Sequence, residues 1–292
     1  MNIPLVILAA GAGRRFGGNK QLAALGLSGE FLMEFNMYEA WKSGVGEAWL
    51  IIKPGSQSDW QDLQQRWKAK MIVRLFEQPD ELLPETYPQT RETPWGTGHA
   101  LLAIEQEVAS DFLLINADDY YGPNAFQRLL EIPSGTMGLA AFPLAETLSD
   151  SGAVNRAVCL RRSEYLAGIE EYTQIQLEQG LIKGYSELGE HQVLEAEMPV
   201  SMNCWRLDKR IFSQLRIAVE VMITFADQAN SELFLPALIQ SGIIEEEWPI
   251  ELVEARGPWY GLTFASDFQR VRAAMQQYQT QGQYPNPLWK KN

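Results

Sequence analysis

The sequence predicts an α/β protein built on a mainly parallel, doubly wound sheet, with a smaller mixed α+β lobe attached. Three observations predict it. From residue 3 to about residue 143, short apolar runs alternate with amphipathic segments, the rhythm of strands joined by helical crossovers. The apolar runs are rich in Val, Ile and Leu without a polar face, as in strands covered on both sides. The first run opens directly into a glycine-rich stretch, and in open α/β sheets the loops beyond the carboxyl ends of the strands carry the ligand site.

The individual elements follow from pattern and punctuation. Residues 3–10, 48–52, 71–76, 112–116 and 137–142 read as strands, and residues 31–42, 58–68, 97–107 and 124–130 as helices. Gly44 and Gly46 stop the first helix, and Pro123 fits the first turn of the last, where its missing N–H costs nothing. After about residue 145 the rhythm changes: residues 153–161, 164–171, 193–196 and 200–206 read as strands without long helices between them. Helices return over 208–215, 232–240 and 267–277. No repeat or flexible linker separates the parts, so one continuous domain over residues 1–292 is expected.

Composition excludes several function classes. A net charge of −13 over 292 residues opposes nucleic acid as a partner, because phosphate backbones require dense positive charge. Two cysteines, Cys159 and Cys204, and two distant histidines, His99 and His191, support neither a disulfide framework nor a zinc site. No run reaches the roughly 20 apolar residues of a membrane span, and Met1–Ala10 lacks the basic flank of a secretory signal. A cytoplasmic protein without a membrane partner is expected. Any anionic ligand must then be met by a local cluster of cations.

Such a cluster follows the first strand, in Gly11-Ala-Gly-Arg-Arg-Phe-Gly-Gly-Asn-Lys20. Glycines allow positive φ and close backbone approach, so successive N–H groups can turn toward a polyphosphate. Arg14, Arg15 and Lys20 supply the charge. A dinucleotide fingerprint would need glycine where Phe16 stands, and a P-loop would need Ser or Thr where Gln21 stands.

The stretch from Leu8 to Lys20 resembles the signature of the sugar-1-phosphate nucleotidyltransferases, and Gly96-Thr-Gly-His-Ala100 is similar to a segment of the bacterial N-acetylglucosamine-1-phosphate uridylyltransferases. Asn116-Ala-Asp118 sits where such enzymes carry a metal-binding aspartate at a strand end. The resemblance is nearer still to a group of bacterial proteins with an aspartate pair followed by Tyr-Gly, a Ser-Met-Asn triplet and a WxGxTxxxD tail, and it covers nearly the whole chain. It implies a Rossmann-like nucleotidyltransferase fold, with residues 1–145 as nucleotide-binding half, 146–262 as acceptor-binding half and 263–292 as C-terminal helix and tail.

The resemblance further implies a reaction and its residues. A nucleoside monophosphate would pass from a nucleoside triphosphate to a phosphorylated small molecule, a sugar 1-phosphate first among them, with release of pyrophosphate. Arg15, Lys20 and Asp118 would be catalytic, while Ala10, Gly11, Gly13, Arg14, Gly96 and Thr97 would hold the nucleotide. Mg²⁺ would sit on Asp118, since hard cations prefer carboxylate oxygen; Asp119 is more a turn or supporting residue. Asn203, in Ser201-Met-Asn203, and Glu171 would recognise acceptor hydroxyls, which buried amides and carboxylates suit.

Some points stay open in the sequence. The stretch Arg256-Gly-Pro-Trp-Tyr-Gly261 has no carboxylate where related enzymes complete the metal shell. Asp267 and, more weakly, Glu254 are the substitutes, although Asp267 could equally cap the last helix. Arg91 stands where the uridylyltransferases read uracil with glutamine; its donors alone fit guanine or cytosine acceptors better, unless it merely pairs with Glu92 or Glu85. His99 reads as a packing residue, and Trp95 and Trp259 as core or pocket aromatics. The rival reading is a non-catalytic nucleotide or nucleotide-sugar sensor of the same fold. A homo-oligomer stays open.

Overall fold

The computed structural model describes residues 3–11, 20–78, 95–149, 152–225, 232–255, 257–262 and 265–290. The first half runs β1 (Leu5–Leu8), α1 (Leu32–Lys42), β2 (Glu47–Ile52), α2 (Gln61–Trp67), β3 (Ile72–Glu77), α3 (Thr97–Ala100), β4 (Phe112–Asn116), β5 (Asp119–Tyr120), α4 (Ala125–Glu131) and β6 (Met137–Pro143). The second runs β7 (Val154–Arg162), β8 (Tyr165–Glu178), β9 (Leu181–Tyr185), β10 (His191–Leu194), β11 (Pro199–Leu207), α5 (Ile211–Phe225), α6 (Leu235–Glu246), β12 (Ile250–Glu254), β13 (Tyr260–Gly261) and α7 (Asp267–Thr280).

The strands read in the first half are present, and β3, β2, β1 and β4 lie side by side and parallel. The sheet then turns mixed. β11 pairs antiparallel with β4 on one edge and β6 on the other, and β12 joins β6 in parallel. β8, β9 and β10 extend this sheet antiparallel, with β7 bridging β11 and β8. Both halves of the chain thus share one sheet.

Side chains alternate between two cores, one on each face of the sheet. Leu5 and Ile7 of β1 and Leu113 and Ile115 of β4 pack with α1, α2, α4 and α7. Val6, Phe112 and Leu114 face the other way, onto α3, α5 and α6. That two-sided cover is why these runs carry no polar face.

The lobe differs from its sequence reading in detail. The segment 164–171 continues to Glu178 and turns through Gln179 and Gly180, at φ of 50° and 82°, into β9. Two successive positive φ values match the twist of a hairpin. The helix read over 97–107 is one α-turn, Thr97–Ala100, continued as 3₁₀ helix over Leu101–Ile104. Its opening is set by tertiary contact: the Gly98 N–H donates to Leu233 O at 2.8 Å. Among the described residues, no helix is long and apolar enough to cross a membrane.

Candidate active site

A cleft of about 1050 Å³ opens where β4 ends, walled by β7, β8 and β11 on one side and by the start of α6 on another. Asn116 closes β4 and Asp118 and Asp119 follow, all three lining the cleft. Asp119 belongs to β5, which pairs with β13 through Asp119 and Gly261. A side chain on Gly261 would place its first carbon 2.8 Å from Asp119 Oδ1 and 2.5 Å from the Trp259 ring, so only glycine lets the two strands approach.

The sequence-predicted pair meets here. Lys20 Nζ is ion-paired with Asp118 Oδ2, and it also donates to Leu262 O at 3.3 Å. The Leu262 N–H in turn donates to Asp118 O at 2.9 Å. Residues near the start, middle and end of the chain therefore fix one cation beside one carboxylate. The two side chains stay 18% and 21% exposed, open enough for a ligand to reach.

Asp119 differs from its neighbour by burial. Asn116 Nδ2 donates to its Oδ2 at 2.8 Å, and Asn36 Nδ2 of α1 to its backbone O at 2.6 Å. Burial, reinforced by the charge of Asp118, pushes its carboxyl up to about 7, while Asn116, Lys20 and Arg156 oppose that rise. Asp118 is the more exposed of the two carboxylates that face the cleft.

Across the cleft, β11 carries a bulge between Ser201 and Trp205. Asn203 sits at φ of 62° within it, a left-handed conformation that asparagine tolerates better than most residues. A bulge re-aims side chains, and Asn203 lines the cleft, its Oδ1 accepting from Trp205 Nε1 at 3.2 Å. Glu171 of β8 lines it too, its carboxyl raised by burial and by Glu187, with Arg156 opposing. Both acceptor-side residues read from the sequence thus face one space.

Gly96 and Thr97 serve a contact that the sequence does not show. Gly96 has φ of 97°, and a Cβ there would stand 2.4 Å from Leu233 O. The Leu233 N–H donates to Trp95 O at 2.7 Å, and Thr97 Oγ1 accepts from Leu235 N at 3.1 Å at the start of α6. Thr97 lines the cleft as well. Trp95 is buried in the core 5.8 Å from the His99 ring, whereas Trp259 lines the cleft. His99 is buried, with Gln78 Nε2 3.1 Å from its Nδ1.

Ala10 is buried just beyond β1, and Gly11 O accepts from Gln21 Nε2 at 3.2 Å. Gly13, Arg14, Arg15 and Arg91 lie outside the described residues. Asp267 is buried in the first turn of α7, 3.8 Å from Arg270, and is not among the residues lining the cleft. Glu254 is exposed at the end of β12, its O accepting from Arg128 at 2.9 Å.

Three further residues shape the site; Tyr121 belongs to the motif after the aspartate pair, whereas Arg156 and Asn36 belong to none of the motifs above. Arg156 lines the cleft from β7, Asn36 holds β5 from α1, and the Tyr121 hydroxyl lies 2.9 Å from Met202 O at the bulge. Asn36 is one of three polar side chains buried in Leu32–Ala40, with Glu34 and Glu39, and a buried amide needs a partner.

Among the described residues no cluster of three His, Cys, Asp or Glu side chains gathers to hold a metal. Asp118 alone still fits Mg²⁺, which usually keeps waters and takes one or two carboxylates plus substrate phosphates. That carboxylate already accepts a cation, the ammonium of Lys20.

No protein-family model and no curated protein matches the sequence. Solved structures do match the fold over nearly the full length. An inositol-1-phosphate CTP transferase from T. maritima superposes with a TM-score of 0.62 at 12% identity, covering 94% of this chain and 97% of that one. A UDP-glucose pyrophosphorylase complexed with UDP-glucose gives 0.58 at 15%, over 94% and 98%. A UDP-glucose pyrophosphorylase from Acinetobacter baumannii gives 0.61 at 15%, over 96% and 94%. The likeness is one of fold: a mixed α/β architecture similar to that of nucleotidyltransferase structures.

Proposed function

We propose that this chain is a nucleotidyltransferase that joins a nucleoside monophosphate, taken from a triphosphate, to a phosphorylated small molecule, a sugar 1-phosphate first, and releases pyrophosphate. The observation that carries the reading is the Lys20–Asp118 pair, set at the mouth of a cleft beyond β4. The structures of similar fold, among them a CTP transferase and UDP-glucose pyrophosphorylases, support the same class.

The chemistry asks for placement more than for proton transfer. A phosphate monoester is mostly a dianion at neutral pH, its second pKa being about 6, so no general base has to create the nucleophile. One of its oxygens bonds to the α-phosphorus in line as the bond to the pyrophosphate oxygen breaks. Lys20 neutralises charge on the phosphates, and Arg15 of the glycine loop does the same. Asp118 would hold Mg²⁺, which when bound supplies further charge neutralisation at the phosphates. Asn203 and Glu171 hydrogen-bond acceptor hydroxyls, and Gly11, Gly13 and Arg14 belong to the nucleotide side. The two cysteines, Cys159 and Cys204, are free and buried, which suits the cytoplasm.

The test is a matrix of the four nucleoside triphosphates against hexose, aminohexose and inositol 1-phosphates with Mg²⁺, read by pyrophosphate release. Turnover with at least one pair is expected. Triphosphate binding without pyrophosphate from any pair would favour a sensor of the same fold.

A further inference from the structure

Arg156 stands on β7 with three of its donors spent. Its Nε donates to Thr147 Oγ1 at 3.1 Å, its Nη2 to Thr147 O, and its Nη1 to Asn155 O at 2.7 Å. Thr147 is fully buried, its own hydroxyl donating to Leu144 O at 2.9 Å, so the anchor is rigid. The guanidinium also lies over the buried Trp259 ring, 5.2 Å from its centroid.

A guanidinium has five N–H donors. Among the described residues, one on Nη1 and one on Nη2 therefore stay free to meet phosphate oxygens. Arg156 forms none of the ion pairs among the described residues. It nevertheless feels Asp119 on one side and Glu171 on the other, and burial pulls its pKa down to about 10. At neutral pH it is a half-buried cation without a bonded anion among the described residues, an arrangement that is costly until an anion arrives. Among the described residues lining the cleft it is the only Lys or Arg.

We propose that Arg156 binds the phosphate group of the acceptor and so presents its oxygen for attack. The position separates this phosphate from those of the triphosphate. Lys20 and the glycine loop follow β1, whereas Arg156 belongs to the strand paired with β8, where Ala157 stands opposite Glu171. A phosphate carried by a molecule whose hydroxyls meet Asn203 and Glu171 must lie between those residues and Asp118, which is where Arg156 reaches. The assignment rests on the nucleotidyl-transfer reading for the acceptor's identity; the anion site itself does not.

The experiment measures inorganic phosphate and glucose 1-phosphate binding calorimetrically on wild type, Arg156→Gln and Arg156→Lys, with melting curves for each. Acceptor and triphosphate KM are measured in parallel for the active pair. Expected is wild-type phosphate binding that weakens tenfold or more in Arg156→Gln and less in Arg156→Lys, with acceptor KM rising at least tenfold and triphosphate KM within twofold. A structural role alone would lower the melting temperature and leave phosphate binding and the KM ratio unmoved, which overturns the proposal. So does a wild type that binds no phosphate at roughly 10 mM, the weak end of ordinary affinity. If no pair gives turnover yet Arg156→Gln loses phosphate binding, the anion site stands and the transfer reading falls. If turnover is present and Arg156→Gln leaves acceptor KM unchanged, the reverse holds.

Discussion

The Tyr121 hydroxyl meets the Met202 carbonyl at 2.9 Å, joining the segment that carries the aspartates to the bulge that presents Asn203. The same hydroxyl accepts from Asn116 N at 3.1 Å and lies 3.2 Å from Asp119 Oδ2. A single oxygen thereby couples the aspartate segment after β4 to the bulge of β11.

Tyr121→Phe removes that coupling and leaves buried polar groups unpaired, a loss of about 1–3 kcal/mol. The variant should melt earlier, and acceptor KM should rise several-fold while triphosphate KM holds. Steady-state kinetics with each substrate varied separately checks this; an unchanged acceptor KM would detach the bulge from acceptor recognition.

Asp118→Asn keeps the shape of the side chain and discards its charge. We expect kcat to fall more than tenfold, above about 1.4 kcal/mol, with the melting temperature nearly unchanged because the Lys20 pair is partly exposed. Lys20→Ala should lower kcat/KM strongly. Residual turnover above a tenth of wild type in Asp118→Asn would remove the metal from this residue.

Glu34 gives a pH dependence of stability. It is fully buried in α1, paired with Arg66 at 3.0 Å and accepting from Trp67 Nε1 at 2.6 Å. Burial raises its carboxyl from 4.5 to about 7, against the opposing pull of Arg66, the Phe31 N–H and Trp67. The folded state then keeps a proton that the unfolded chain releases, so stability is fully present below 4.5 and declines as pH rises to about 7. Glu34→Gln lacks this titration and should gain on wild type across that window, by an amount on the order of 3 kcal/mol. Denaturant titrations at several pH values report it; parallel curves for the two proteins would contradict the burial argument.

Arg91 tests the base. Its donors favour guanine or cytosine acceptors over uracil, so wild type should prefer GTP or CTP to UTP, and Arg91→Gln should shift preference toward UTP. The ratio of kcat/KM over the four triphosphates decides; a wild type favouring UTP tenfold, about 1.4 kcal/mol, rules the idea out.

What could be read from the sequence depended on what a residue's neighbours had to be. The strands β1, β2 and β4 were legible because cover on both faces makes every position apolar. The direction of β11 was not, since a strand's period is the same whichever way it runs. β12 was missed because Ile250–Glu254 is only five residues long and carries two glutamates among its three apolar residues. Lys20 and Asp118 could be found at element ends, where α/β folds keep their ligands. Arg156 could not, because a lone arginine on an exposed-looking strand has no local mark; its meaning comes from Thr147 and Trp259, brought together by the fold. Gly96 was seen, but its physical reason, the backbone of Leu233, lies over 130 positions away.

The reversed strand also dictates a timetable. β4 has β1 on one edge and β11 on the other, and β6 lies between β11 and β12. As the chain leaves the ribosome, β4 and β6 emerge long before Pro199–Leu207 can slot between them. Until then β4 offers an open edge to any passing strand, and the first 145 residues cannot finish their sheet unaided. A nascent chain stalled ahead of β11 should therefore be an aggregation-prone client for chaperones, and the two halves expressed as separate fragments should be soluble only when made together.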